Sequence, residues 1–408
     1  MANEEGVASK SLAALADFDD LLISIFKILP MKELQKCSKV CKKWHELSSI
    51  VQKSRHSIGW FMFSPQLHSH ELHPQIADKL QLLSSAPKQC LLFMTNSLFE
   101  DHVAVPDDRS SNSERAMHPR AAKLEKMVFS DYLLRLLPTN CQLIGIAADG
   151  NVGTDWELKE CLEAENAVSA SGIFFPELSG VTVRRFSATL SELSQKLFDS
   201  SIDPDELRSI TCIPETEQPK LILLFMSEHV NDLAIPTLLV LQHRSVVVAG
   251  GLVDGILPTQ ETENPMDSDE FLLGLSFCGG DNLRVASVIV PAEINTETGV
   301  TLLLKKLQNT HVCDGARQSL AFMFACIGRG QYHFRGKRNV EASAFHRLFP
   351  TVPLFGFFGN GEIGCNYLPD YSSGGGSSVC LVEEESGEER VPGLQHAYTT
   401  IFVIMSIL

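Results

Sequence analysis

Three short apolar runs constrain this chain more than any other feature: CLLFMTN from Cys90, LILLFMSE from Leu221 and LAFMFACIGRG from Leu320. Each is followed, after a spacer, by a second apolar run that ends in glycine. These are QLIGIAADG from Gln142, SVVVAGGLVDG from Ser245 and VPLFGFFGNGEIG from Val352. A strand with one wet face alternates apolar and polar residues; a run apolar at nearly every position is covered on both faces. The spacers have room for a helix: from Val340 to Leu348, Ala342, Phe345 and Leu348 fall three apart. Strand, helix, strand is the crossover that joins parallel neighbours. The chain is therefore expected to be of the α+β class, a small helical N-terminus followed by a mixed α/β body built from a repeated strand–helix–strand unit, with spacers of unequal length.

Other stretches predict antiparallel strands. Ile173–Phe175 with Val181–Arg185, and Leu272–Phe277 with Leu283–Val290, are each separated by a glycine-bearing turn and are expected to form hairpins. The tail Thr399–Leu408 adds one more strand. Loops are expected at Asp107–Ser113, Glu261–Asp269 and Ser372–Ser378, the second marking a seam within the body.

Residues 15 to 48 have a different texture. Leu21, Leu22, Ile25, Phe26 and Leu29 recur at helical spacing until Pro30 stops the helix. A second stripe follows at Leu34, Cys37, Val40, Cys41, Trp44 and Leu47. Two amphipathic helices joined at Pro30–Met31 make a hairpin too small to fold well alone, and each Leu, Ile or Phe left in water forgoes about 1.5–3 kcal/mol. These faces want either the rest of the chain or another protein.

Charge and cysteine content narrow the function. Among 408 residues, 44% are apolar and 21% charged, as in ordinary globular chains. The formal net charge of -16 repels phosphate backbones, so nucleic acid is not an expected partner. The eleven cysteines are scattered, with neither a disulfide framework nor paired CxxC knuckles. The N-terminal MANEEGVASK lacks an apolar signal core, and the apolar tail is shorter than the ~20 residues a membrane helix needs. A reducing compartment, cytoplasm and nucleus, is expected, with no membrane.

The stretch LADFDDLLISIFKILPMKELQKCSKVCKKWHELS resembles the F-box family. The resemblance is carried by Leu21, Leu22 and Ile25, by Leu29-Pro30 and Glu33-Leu34, and by the closing Val40-Cys41-Lys42-Lys43-Trp44. The family's usual Leu-Pro opening is replaced by Phe18-Asp19. What this implies is docking to a Skp-type adaptor of a cullin-RING ubiquitin ligase, through Leu21, Leu22, Ile25, Phe26, Leu29, Pro30, Leu34, Val40, Cys41 and Trp44. Between residues 10 and 55 nine bases face five acids, a local excess of positive charge that suits an acidic partner and equally suits a solvated helix face.

The segments FMFACIGRG, NVEASAFHRLFPTVPLFGFFGNGEIG and HAYTTIFVIM resemble the FIST family of intracellular ligand-sensing domains. The resemblance implies an F-box at 1–55, a FIST N-like domain at 56–258 and a FIST C-like domain at 259–408. It also implies a ligand or client pocket at Cys326, Arg329 and Gly330 and at Gly359, Asn360, Gly361, Glu362 and Cys365. The residues suit such a role: each segment ends an apolar strand, where glycine lets backbone approach a ligand. Arg329 can clamp a carboxylate and Glu362 can accept from an ammonium; an ion pair between the two is the plainer reading. The expected function is a non-catalytic substrate receptor that holds protein clients for ubiquitination and proteasomal degradation. A small-ligand sensor that regulates client choice is the alternative.

Other signals carry less. Gly359–Gly364 fits G-x-G-x-x-G, but CNYLPDYSSGGGSS follows where a dinucleotide site needs a helix. Gly274–Cys278 misses the last glycine of G-x-S-x-G. His68, His70 and His73 lack a fourth ligand, so no metal and no cofactor is expected. Cys326 precedes an arginine and a glycine turn and Cys365 follows the sister turn, so the two come close together if the repeat strands pair; buried thiols are usually inert.

Overall fold

The computed structural model describes residues 18–63, 72–100, 102–106, 124–189, 204–227, 234–257, 270–372, 381, 383–385 and 388–408. The expected loops at Asp107–Ser113 and Glu261–Asp269, and His68 and His70, lie outside these residues.

The N-terminal unit has three helices where two are expected: α1 over residues 18–28, α2 Met31–Cys37 and α3 Lys42–Lys53. Pro30 separates the first two. The second stripe is broken by a tight turn in which Lys39 N donates to Lys36 O (3.1 Å) and Val40 N to Cys37 O (3.1 Å). Leu22, Phe26, Leu34, Leu47 and Val51 close on one another, and Trp44 meets Phe26 edge-on at 5.3 Å. Arg55 ties this small core to the body. Its guanidinium donates to Phe26 O (2.6 Å) and Leu29 O (2.7 Å), carbonyls at the end of α1, and to Ser84 O (2.7 Å). Met31 N adds a bond to Leu83 O at 2.8 Å.

The body consists of three successive copies of one unit. The first runs β1 Gly59–Met62, α4 Leu72–Gln81, β2 Gln89–Thr95, α5 Asn96–Glu100, β3 His102–Pro106, β4 Leu124–Val128, α6 Phe129–Leu136, β5 Gln142–Ala148, β6 Gly150–Thr154, β7 Cys161–Glu165 and β8 Ala170–Phe175. The second runs β9 Thr182–Thr189, α7 Pro204–Thr211, β10 Pro219–Ser227, α8 Ala234–Gln242, β11 Val247–Val253, β12 Gly255–Ile256 and β13 Glu270–Cys278. The third runs β14 Leu283–Val290, α9 Glu297–Gln308, β15 Gln318–Cys326, α10 Gly330–His333, α11 Val340–Leu348, β16 Leu354–Gly359, β17 Glu362–Ile363, β18 Glu383–Glu385, β19 Glu388–Arg390, β20 Gln395–His396 and β21 Thr400–Ile407.

Each copy builds its own sheet on a parallel pair, β2–β5, β10–β11 and β15–β16, formed by the run pairs read from the sequence. The last strand of each copy, β8, β13 or β21, returns antiparallel beside the first member of the pair and is flanked in turn by β1, β9 or β14. The sheets are then laced together. Beyond β5 the chain crosses to pair β6 with β16; beyond β11 it pairs β12 with β5; beyond β16 it pairs β17 with β11. The exchange closes on itself, so every sheet has an edge completed by another copy.

Alternating side chains explain why the runs are apolar throughout. Leu91 and Phe93 of β2 face the shared centre, while Cys90, Leu92 and Met94 face Ile76, Leu80, Phe129 and Leu133 of the covering helices. The same holds for Leu320, Phe322 and Phe324 against Ala321 and Met323 in β15. Register makes Phe93, Phe225 and Phe324 equivalent: they lie opposite Ile146, Gly251 and Phe357, each three residues before a turn at Asp149, Asp254 or Asn360. Their rings meet at the centre, Phe93–Phe225 at 6.0 Å and Phe225–Phe324 at 5.9 Å, with Phe357 5.2 Å from Phe324. Gly250 and Gly356 hold equivalent places with φ of 151° and 154°, and a Cβ there would strike Leu224 O or Met323 O on the neighbouring strand.

Two expectations change. The predicted hairpins do not form: β8 and β9, and likewise β13 and β14, belong to different sheets. The glycine turns between them mark the passage from one copy to the next, where a hairpin and a crossing between sheets need the same turn chemistry. A boundary between 258 and 259 falls inside the second copy, ahead of β13, the antiparallel partner of β10. The expected tail strand, β21, sits between β14 and β15 in the interior of its sheet. No described helix is long and apolar enough to cross a membrane.

Candidate functional site

Helix α1 carries two adjacent apolar stripes. The inner one, Leu22 and Phe26, is buried in the hairpin core. The outer one is Phe18, Leu21, Ile25 and Ile28, stepping three, four and three residues along one face and 49%, 57%, 42% and 81% exposed. Val40, on the turn between α2 and α3, is also exposed. The ten residues expected to dock an adaptor thus divide. Leu21, Ile25, Val40 and Cys41 are open, Leu29, Pro30 and Trp44 are half-buried, and Leu22, Phe26 and Leu34 lie beneath them. Phe18 and Ile28 extend the open stripe and were missed, although the i, i+3, i+4 pattern through Leu21 and Ile25 points to both. Lys43 braces the face by pairing with Asp19 at 2.6 Å.

The second group lies where the parallel strands of the three copies end. Cys326 closes β15, Gly359 closes β16, Glu362 opens β17 and Cys365 lies two residues beyond it. Ile327 N bonds Gly359 O at 2.8 Å and Leu252 N bonds Gly361 O at 2.9 Å, so these loops do meet. Asn360 is exposed and donates to Asp254 Oδ1 at 3.4 Å, while Asn96 donates to Asp254 Oδ2 at 2.6 Å and to Asp149 Oδ1 at 3.4 Å. The three turns of the strand exchange therefore converge. A spacing repeated in the sequence, Gly145-x-x-x-Asp149-Gly150, Gly250-x-x-x-Asp254-Gly255 and Gly356-x-x-x-Asn360-Gly361, would have revealed them.

Arg329 and Glu362 do not pair. Arg329 is fully buried and directs its fork at Glu341 (Nη2–Oε1 2.9 Å, Nε–Oε2 3.2 Å). Its remaining donors reach Pro291 O, Tyr398 O and Ile294 O at 3.1, 3.2 and 3.1 Å. With every N–H engaged, it has none left for a ligand carboxylate. Gly330, at φ 74°, sits over the Glu165 carboxylate, which accepts from Gln331 N at 2.9 Å. Beside this network Glu163 accepts from Ala342 N at 2.7 Å at the start of α11. Burial, then the neighbouring Glu341, raises its carboxyl to about 8.

Glu362 is the group with capacity left. Its Oε2 accepts from Thr399 N (3.0 Å) and Thr399 Oγ1 (2.7 Å). Its Oε1 is buried without a hydrogen-bond partner among the described residues. Burial holds the carboxyl up at about 7, against the opposing pull of the Thr399 donors and the neighbouring Cys326 thiol. Burial also raises the thiol of Cys326, and pushes that of Cys365 to about 12. The G-x-G-x-x-G segment leads into β17, a strand, so it offers no helix N-terminus to a pyrophosphate.

Residues 18–56 match the F-box domain, over α1 to α3, and residues 276–365 match the FIST C domain, over the end of β13 and the third copy as far as β17. The chain carries an F-box followed by a FIST C domain. Over 98% of its length it is 26% identical to F-box only protein 22 of Homo sapiens and, to the same degree, of Pongo abelii, covering 96% of each. An F-box protein of Arabidopsis thaliana is 39% identical over 70 residues, 15% of this chain and 17% of that one. The two domains and the full-length relatives support an F-box substrate-adaptor role.

Proposed function

We propose that this protein is the substrate-recognition subunit of a Skp-cullin-F-box ubiquitin ligase. The F-box docks a Skp-type adaptor, and the three-copy body holds client proteins for ubiquitination and proteasomal degradation. The supporting observation is the open stripe Phe18, Leu21, Ile25 and Ile28, which stands on a hairpin core that is already closed. Aliphatic and aromatic side chains aligned on one helix face make a helix-packing interface. Such a protein needs no catalytic group of its own; it raises the effective concentration of client lysines beside the charged enzyme.

Capture of a purified Skp-type adaptor by the intact protein tests this. Leu21→Asp with Ile25→Asp is expected to abolish capture while leaving the thermal midpoint unchanged, since both residues are exposed. Wild type that fails to retain the adaptor, or a double variant that still does, defeats the reading.

One observation favours a second reading, an intracellular small-ligand sensor: the unpartnered Oε1 of buried Glu362. An ammonium-bearing metabolite would give it a partner. Thermal shift with a panel of free amino acids checks this; a wild-type response no larger than that of Glu362→Gln rejects it.

A further inference from the structure

A groove of about 650 Å³ opens in the third copy between α9 and the turn that precedes α11. Its cations are Lys305, Arg335, Lys337 and Arg347, and its one acid is Glu297. Glu297 is held by Arg347 at 2.6 Å, whereas the side-chain cations of Lys305, Arg335 and Lys337 have no hydrogen-bond or ion-pair partner among the described residues. From Asn295 to Arg347 seven exposed bases face two exposed acids, Arg329 and Glu341 being paired in the interior, in a chain whose net charge is -16. Like charges in a folded surface repel one another, and a concentration of one sign against the bulk charge of the molecule marks a place shaped for the opposite sign. The groove also has apolar surface, with Phe334 and Val340 buried at its base and Leu302 exposed on its wall.

We propose that this groove binds an acidic peptide segment of a client protein, its carboxylates on Lys305, Arg335 and Lys337 and an aliphatic side chain on Leu302. The inference rests on the substrate-receptor reading for the word client, but not on the adaptor face, which lies in a different part of the chain. Charge complementarity selects the occupant. A nucleic acid is also an anion, but the remainder of this chain repels a long phosphate backbone. A short peptide meets only the local field of the groove, within roughly 8–10 Å at physiological salt.

Fluorescence anisotropy on the full chain, with a labelled Glu-Glu-Leu-Glu-Glu-Leu peptide, tests the proposal. Binding is expected, weakening as salt rises. The Lys305→Glu, Lys337→Glu double variant should lose affinity by about tenfold or more, a change in binding free energy of about 1.4 kcal/mol. Glu297→Gln, which releases Arg347, should bind more tightly. Lys305→Ala with Arg335→Ala, a milder change, guards against misfolding and should weaken binding in the same direction. Equal affinity for these variants and wild type overturns the proposal. So does equal binding of Lys-Lys-Leu-Lys-Lys-Leu, tighter binding of an oligothymidylate of the same charge, or no binding of the acidic peptide. Adaptor capture is measured on the same samples. Peptide binding without capture sinks the receptor reading and leaves the groove; capture without peptide binding does the reverse.

Discussion

Arg329 illustrates how far a residue's role depends on its partners. From the sequence it stands at the end of an apolar strand, before a glycine, where a ligand-binding arginine would also stand. In the fold its five donors are divided between Glu341 and three carbonyls, and it is sealed from solvent. Removing one member of such a buried pair strands the other, at a cost of about 3–5 kcal/mol. Arg329→Ala is therefore expected to lower the urea midpoint sharply, and Arg329→Lys to recover only part, since an ammonium cannot form the fork. The raised carboxyls of Glu163 and Glu362 give a second prediction. A carboxyl whose folded-state pKa exceeds its unfolded value leaves the folded protein holding the extra proton. Its contribution is complete below the unfolded value near 4.5 and is lost as pH climbs through about 7 for Glu362 and about 8 for Glu163. The thermal midpoint should fall between pH 5 and pH 9, and Glu163→Gln should flatten that slope.

At the scale of elements, the F-box shows what periodicity can and cannot say. It identified α1, the Pro30 stop and the apolar character of both helices. It could not say which of two neighbouring stripes on α1 faces outward, because Leu21 and Leu22 are equally apolar and differ only by their angle about the axis. Packing of α1 against Leu34, Leu47 and Val51 makes that choice. Nor did the stripe from Leu34 to Leu47 reveal its break at the turn before Cys41, since the turn preserves helical spacing of the apolar positions on either side. Arg55, read only as one of several bases, joins the end of α1 to the body beside the Met31–Leu83 bond. Burial lowers its pKa, yet the three carbonyls hold it in place. Arg55→Ala should leave adaptor capture intact but release the hairpin. Hydrogen exchange would then speed up in α1 to α3 while β10, β15 and β21 stay protected.

For the whole molecule, the three copies depend on one another. Because β6, β12 and β17 each complete a neighbour's sheet, no copy has a finished edge without the others. A fragment of residues 56–258 lacks β13 and β17, the strands flanking β10 and β11. It should be largely unfolded by circular dichroism and amide dispersion, whereas the full body should melt in a single transition. A compact 56–258 fragment with dispersed amide signals would contradict this interdependence.

The sequence by itself determined the six central strands, their burial on both faces and the parallel pairing of each run with its sister, because apolar periodicity and glycine punctuation are local. It also placed the F-box before an α/β body. Only the tertiary structure decided which sheet each strand after a turn would join, which stripe of α1 stays open and which carboxylate Arg329 meets. Those outcomes depend on groups tens to hundreds of residues apart: Arg329 reaches Tyr398 O across 69 residues, and Thr154 bonds Leu354 O across 200. No window of sequence holds both ends of such a contact; close packing around a shared aromatic centre selects it.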